Sequence, residues 1–103
     1  MEDLDARIRA LSALDRVPMI KALIQIDSEA QSQSRTGRRA KRGSVDRNRA
    51  EEAAAESARL GRIIYFLRFR SLATNTSARD EELCAMLAGT LQAKGQWTGE
   101  YSI

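Results

Sequence analysis

The stretch Arg59-Leu-Gly-Arg62-Ile-Ile-Tyr-Phe66-Leu-Arg-Phe-Arg70 decides how this chain is read. Stepped at ~100° per residue, it resolves into two opposed helix faces. One carries Leu60, Ile63, Ile64 and Leu67, is continued backwards by Ala53, and serves as a packing stripe. The other carries Arg59, Arg62, Phe66, Phe69 and Arg70, an arginine face with aromatic rings threaded through it. A helix with apolar residues on two sides sits centrally in a bundle, with Phe66 and Phe69 packed against a second helix or a dimer mate. The expected fold is all-α: a small single domain of three to four helices organised around one long central helix, assembled as a dimeric helical bundle.

Size supports the dimer. A chain of 103 residues holds one core, and so short a chain buries a modest share of its surface, which a subunit interface would extend. With 43% hydrophobic and 30% charged residues the composition is that of an ordinary globular protein. The single cysteine, Cys84, excludes an intramolecular disulfide. The acidic start, Met-Glu-Asp-Leu-Asp, is unlike a signal peptide, and no apolar run reaches the ~20 residues of a membrane span. A cytoplasmic protein is expected, or a nuclear one if the source is eukaryotic or viral.

Working outward, Leu4, Ile8 and Leu11 define a short first helix with Glu2, Asp3 and Asp5 at the positive end of its dipole. The stripe then loses phase. Val17, Ile20, Leu23 and Ile24 open a second helix over about residues 16–31, with Asp15 as N-cap and Pro18 in the first turn, where its missing N–H costs little. Residues 31–44 contain no apolar side chain but Ala40, so a mobile basic loop is expected at about 32–43. The long third helix should run over about 44–72, with Glu51, Glu52 and Glu56 in its first half and arginines in its second. Ser77-x-x-Asp80 reads as a capping box opening a fourth helix, with Leu83, Leu87 and Leu91 on one face. Gly95 fits the left-handed position that closes it. An irregular tail at about 95–103 follows, with Trp97 folded back on the core.

The uneven placement of charge points to a partner. Net charge is +3, but Arg35, Arg38, Arg39, Lys41 and Arg42 cluster in the loop, and Arg47 and Arg49 follow at the start of the long helix. Phosphate binding needs several cations on a backbone that conforms to the polyanion. Arg59, Arg62 and Arg70 would add a rigid ridge beside that clamp, provided neighbouring acids leave their guanidinium groups free. The expectation is a nucleic-acid-binding protein that contacts the sugar–phosphate backbone, a duplex in preference to single strands, through these ten residues. RNA and DNA fit equally. The competing reading is a helical regulator whose Phe66/Phe69 surface docks on a partner protein and sequesters it.

Catalysis has little to work with. The chain has no histidine, which removes the commonest general base and metal ligand, and one cysteine cannot build a familiar zinc site. Cys84 follows Leu83 on the apolar face of the last helix and reads as a small buried hydrophobe. Neither an enzyme nor a cofactor is expected. A basic-zipper reading of Arg47-Asn-Arg fails because Glu51 and Glu52 would oppose phosphate and the leucine repeat is too short. A helix-turn-helix fails because the loop after the second helix is too long for its tight turn. The layout looks like the small RNA-silencing suppressors of RNA viruses, and equally like accessory proteins of plasmids and phages, with no motif shared with either.

Overall fold

The computed structural model describes residues 3–37 and 45–97 and is mostly helical, with four α-helices and no strand among the described residues. They are α1 (Leu4–Ala10), α2 (Arg16–Gly37), α3 (Val45–Phe69) and α4 (Ala78–Ala93), with a 3₁₀ turn (Leu11–Ala13) after α1. The expected irregular tail lies outside the described residues beyond Trp97.

Local chemistry sets the ends. Asp3 accepts from the Ala6 N–H at 2.8 Å and caps α1. The Asp15 carbonyl accepts from the Met19 N–H as α2 begins. Ser77 accepts from the Asp80 N–H at 3.1 Å and caps α4. The expected box closes on one side only, because the Asp80 carboxylate is engaged elsewhere. Gly95 takes φ +74°, and the N–H groups of Gly95 and Gln96 close on the carbonyls of Gln92 and Leu91. This paired closure satisfies carbonyls that the helix end would otherwise orphan, and it favours glycine at the left-handed position. Arg70, at φ 56°, turns the chain out of α3, which ends at Phe69, three residues before the expected end near Leu72.

α2 and α3 form an antiparallel pair with the most extensive contact in the molecule. Its register is fixed at one end by Arg16, whose guanidinium donates to the Leu67 carbonyl at 3.0 Å, and farther along by Ser57, which donates to Asp27 at 2.5 Å. The buried stripe of α2 is Met19, Leu23, Ile26, Ala30, Ser34 and Gly37. This corrects two sequence expectations. The core face is rotated from the one expected, leaving Val17 and Ile24 exposed. Residues 32–37, expected as loop, are helix, because the small Ala30, Ser34 and Gly37 continue the packing stripe beside the small buried Ala50 and Ala53 of α3.

One core joins the pair to α1 and α4: Ile8, Met19, Leu23, Leu60, Ile63, Leu67, Leu83, Leu87 and Leu91 are wholly or almost wholly buried. Phe66 belongs to it at 0% exposure, its ring 5.1 Å from that of Trp97, which folds back as expected. Beside Trp97, the Gln96 side chain accepts from the Arg16 N–H at 2.7 Å, and Lys94 donates to the carbonyls of Ser12 and Leu14. The turn that ends α4 thus satisfies the orphan donor that opens α2. No helix among the described residues is long and apolar enough to cross a membrane.

Candidate nucleic-acid interface

The net charge of +3 conceals a strong separation. Residues 35–49 carry seven cations and one acid, Asp46, a net +6 that leaves −3 for everything else. Of these cations Arg35, in the last turn of α2, and Arg49, in the first turns of α3, are exposed. Arg47 is half-buried and pairs with Glu51 at 3.6 Å across one helical turn. Arg38, Arg39, Lys41 and Arg42 lie outside the described residues, as does the expected loop itself after Gly37. Because α2 and α3 are antiparallel, Arg35 and Arg49 come to the same end of the pair. A cleft of about 250 Å³ between the two helices is lined by Gln31, Ser34, Arg35, Ala54 and Ser57. Asp27 takes up the Gln31 amide and Ser57 hydroxyl donors, which leaves Arg35 as the cation of that lining.

The expected ridge on α3 is built differently from its premise. Arg59 is enclosed by acids: its Nη2 donates to Asp5 at 2.8 Å and to Asp80 at 2.7 Å, and its Nε donates to Asp80 at 3.1 Å. Arg79 donates to the other oxygen of Asp5, and Arg62 stands 3.9 Å from Asp80. Asp80 is 1% exposed. Its charge is tolerable there only because Arg59 forks onto it. The hydrogen bond to Asp80 holds the Arg59 guanidinium above its ordinary pKa against the opposing effect of burial, with Asp5 reinforcing it. Burial pushes the Asp5 carboxyl up, but the bonds from Arg59 and Arg79 outweigh it, and the net shift is downward. Arg59 therefore ties α3 to α1 and α4, and is not free for phosphate.

Arg62 is about a quarter exposed, and its Nε is buried without a partner. Arg70 lies at the opposite end of α3 from Arg49, its guanidinium 6.0 Å from the Trp97 ring centre. Phe66 and Phe69, expected on one surface, are separated: Phe66 is core, and Phe69, 63% exposed, packs against Tyr65 with the rings tilted at 48° and their centres 4.8 Å apart. The structure thus gathers Arg35, Arg47 and Arg49 at one end and sets Arg59, Arg62 and Arg70 apart from them.

Sequence reasoning missed Asp5 and Asp80 as the partners of Arg59, since both had ready explanations as helix-start acids. It also missed Arg16, which joins the start of α2 to the last carbonyls of α3. Its Nε has no hydrogen-bond partner. No local pattern announces pairings 21, 51 and 54 residues apart.

Cys84 is buried, and burial, with Asp80 and Glu81 nearby, pushes its thiol up to about 12. A thiol so placed is no nucleophile at neutral pH. The chain matches no family model, no curated protein and no solved structure.

Proposed function

We propose that the protein is a non-catalytic nucleic-acid-binding protein that grips the phosphate backbone of a duplex with the basic end of the α2–α3 pair. The observation that carries this reading is the charge separation: seven cations against one acid over residues 35–49, and a net negative remainder. Arg35, Arg38, Arg39, Lys41, Arg42, Arg47 and Arg49 are the contacts, with Arg59 and Arg62 serving as the internal brace that holds the helices behind them. Backbone contacts read little sequence. A homodimer would present two such ends to one target, and a nucleic-acid target goes with an intracellular site of action.

The test is a binding titration of duplex and single-stranded RNA and DNA at increasing salt. Each phosphate neutralised adds ~0.9 to the slope of log affinity against log salt for a B-form duplex. A slope of several units that falls when Arg38, Arg39 and Arg42 become alanine supports the reading. Absence of binding at low salt ends it.

The second reading, a regulator that docks on and sequesters another protein, draws on the exposed Tyr65–Phe69 pair. Loss of partner capture on Tyr65→Ala and Phe69→Ala, with nucleic-acid binding absent, would favour it.

A further inference from the structure

The outward face of α3 has an exposed surface of an unusual kind. Between residues 53 and 67 the exposed positions are Ala55, Ala58, Gly61 and Tyr65, and none carries a charge. An ordinary solvent face of a helix is charged or strongly polar. Ala54, Ala58, Gly61 and Tyr65 recur at alternating spacings of four and three, the spacing of a helix–helix seam, and Phe69 extends it by one turn, past the exposed Arg68 that ends the charge-free stretch. Gly61 is helical, and a Cβ built there would meet nothing within 4 Å, so its small size answers no need inside this chain. α2 widens the strip. Ile24 and Gly61 lie one turn on from the bonded pair Asp27 and Ser57, on the same side, and Ile24 and Val17 are exposed.

From this pattern we infer that the α3 face is a seam between two copies of this chain, crossing antiparallel about a two-fold axis at Gly61. The occupant follows from the face's own sequence. Under that axis, residue 61 meets itself, Tyr65 falls opposite the partner's residues 57 and 58, and Phe69 falls opposite residues 53 and 54. The large side chains at one end of the strip thereby meet the small ones at the other, which is the self-complementarity an isologous interface requires. Glycine on the axis lets the two backbones approach closely.

Charge sets the direction. A parallel pairing would bring two net +6 ends together. The antiparallel one places each Arg49 12 residues of helix, ~18 Å, from the axis, so the basic ends stand several Debye lengths apart at physiological salt. This inference rests on the dimeric state proposed above and not on nucleic-acid binding.

Light scattering and sedimentation of the whole chain over a micromolar range test it, alongside Gly61→Arg and Gly61→Cys variants. Open space at Gly61 means that neither substitution disturbs the subunit, and circular dichroism should stay unchanged. The expected results are a dimer insensitive to salt, association weakened roughly 100-fold or more by facing arginines in Gly61→Arg, and rapid oxidative cross-linking of Gly61→Cys, with Cys84 buried and silent. A dimer that Gly61→Arg leaves intact overturns the seam while sparing the dimeric reading. A wild-type monomer overturns both, and the salt titration judges nucleic-acid binding separately.

Discussion

Arg59 grips Asp80 with two nitrogens, at 2.7 and 3.1 Å, across 21 residues of sequence, and the same guanidinium reaches Asp5 on a third element. An arginine read from sequence as part of a surface ridge is the fastening among α1, α3 and α4.

Arg59→Ala should therefore act on stability before it acts on any ligand. It leaves the Asp80 carboxylate buried beside a weakly placed Arg62, and stranded buried charges of this kind cost about 3–5 kcal/mol. Urea unfolding of the variant should show a midpoint lowered accordingly. A midpoint within experimental error of wild type would mean that the network contributes nothing. Arg59→Lys should recover only part of the loss, because an ammonium cannot fork onto a carboxylate.

The same network gives the fold an acid-sensitive component. The folded-state pKa of Asp5 lies below its ordinary 3.8, so the stability it supplies is complete above that value. It is lost as pH falls below 3.8 through the lower folded value. Asp5→Asn should be less stable than wild type at pH 6, and the gap should close as unfolding is measured at progressively lower pH in that acid range. A gap constant down to pH 2 would contradict the pairing.

Alanine at Arg38, Arg39 and Arg42, which the proposal assigns to the ligand and not to the fold, should leave thermal stability within about 0.5 kcal/mol of wild type. Duplex affinity should drop and the salt slope should fall by roughly one unit per cation that touches phosphate. Binding measured by fluorescence anisotropy at two or more salt concentrations reads both quantities.

Cys84 should resist aromatic disulfide reagents at pH 8, where a thiol pushed up to about 12 is almost wholly protonated as well as buried. It should react at once in denaturant. Rapid labelling of the native protein would show that α4 opens away from the core on the labelling timescale.

Gly95→Ala places a Cβ at φ +74° and should cost about 1 kcal/mol locally. A further loss should follow from slackening of the Gln96 bond to the start of α2. Gln96→Ala isolates that second effect, and thermal melts of the two variants would separate them.

Helix number, the cap at Ser77, the turn at Gly95 and the return of Trp97 were legible because each is written in neighbouring residues. The length of α2 was not, since a stripe ending in Ala30, Ser34 and Gly37 has no large apolar residue to announce it. The split between Phe66 and Phe69 was obscured because three residues along a helix bring two side chains to roughly the same side. A tertiary neighbour, Trp97, covers one and not the other. The basic cluster at residues 35–49 needed only reading, whereas the isolation of Arg59 from it depended on carboxylates far away in sequence.

The bond from Arg16 to Gln96 spans 80 residues, while α2 and α3 meet through one short connection. Closing the long circuit carries a greater entropic penalty than closing the short one, so the hairpin should assemble early and α4 should dock late. Hydrogen exchange would then divide the molecule into an inner, slowly exchanging pair and an outer shell of α1 and α4. The α2–α3 pair would then stand formed before the remainder of the domain had settled around it.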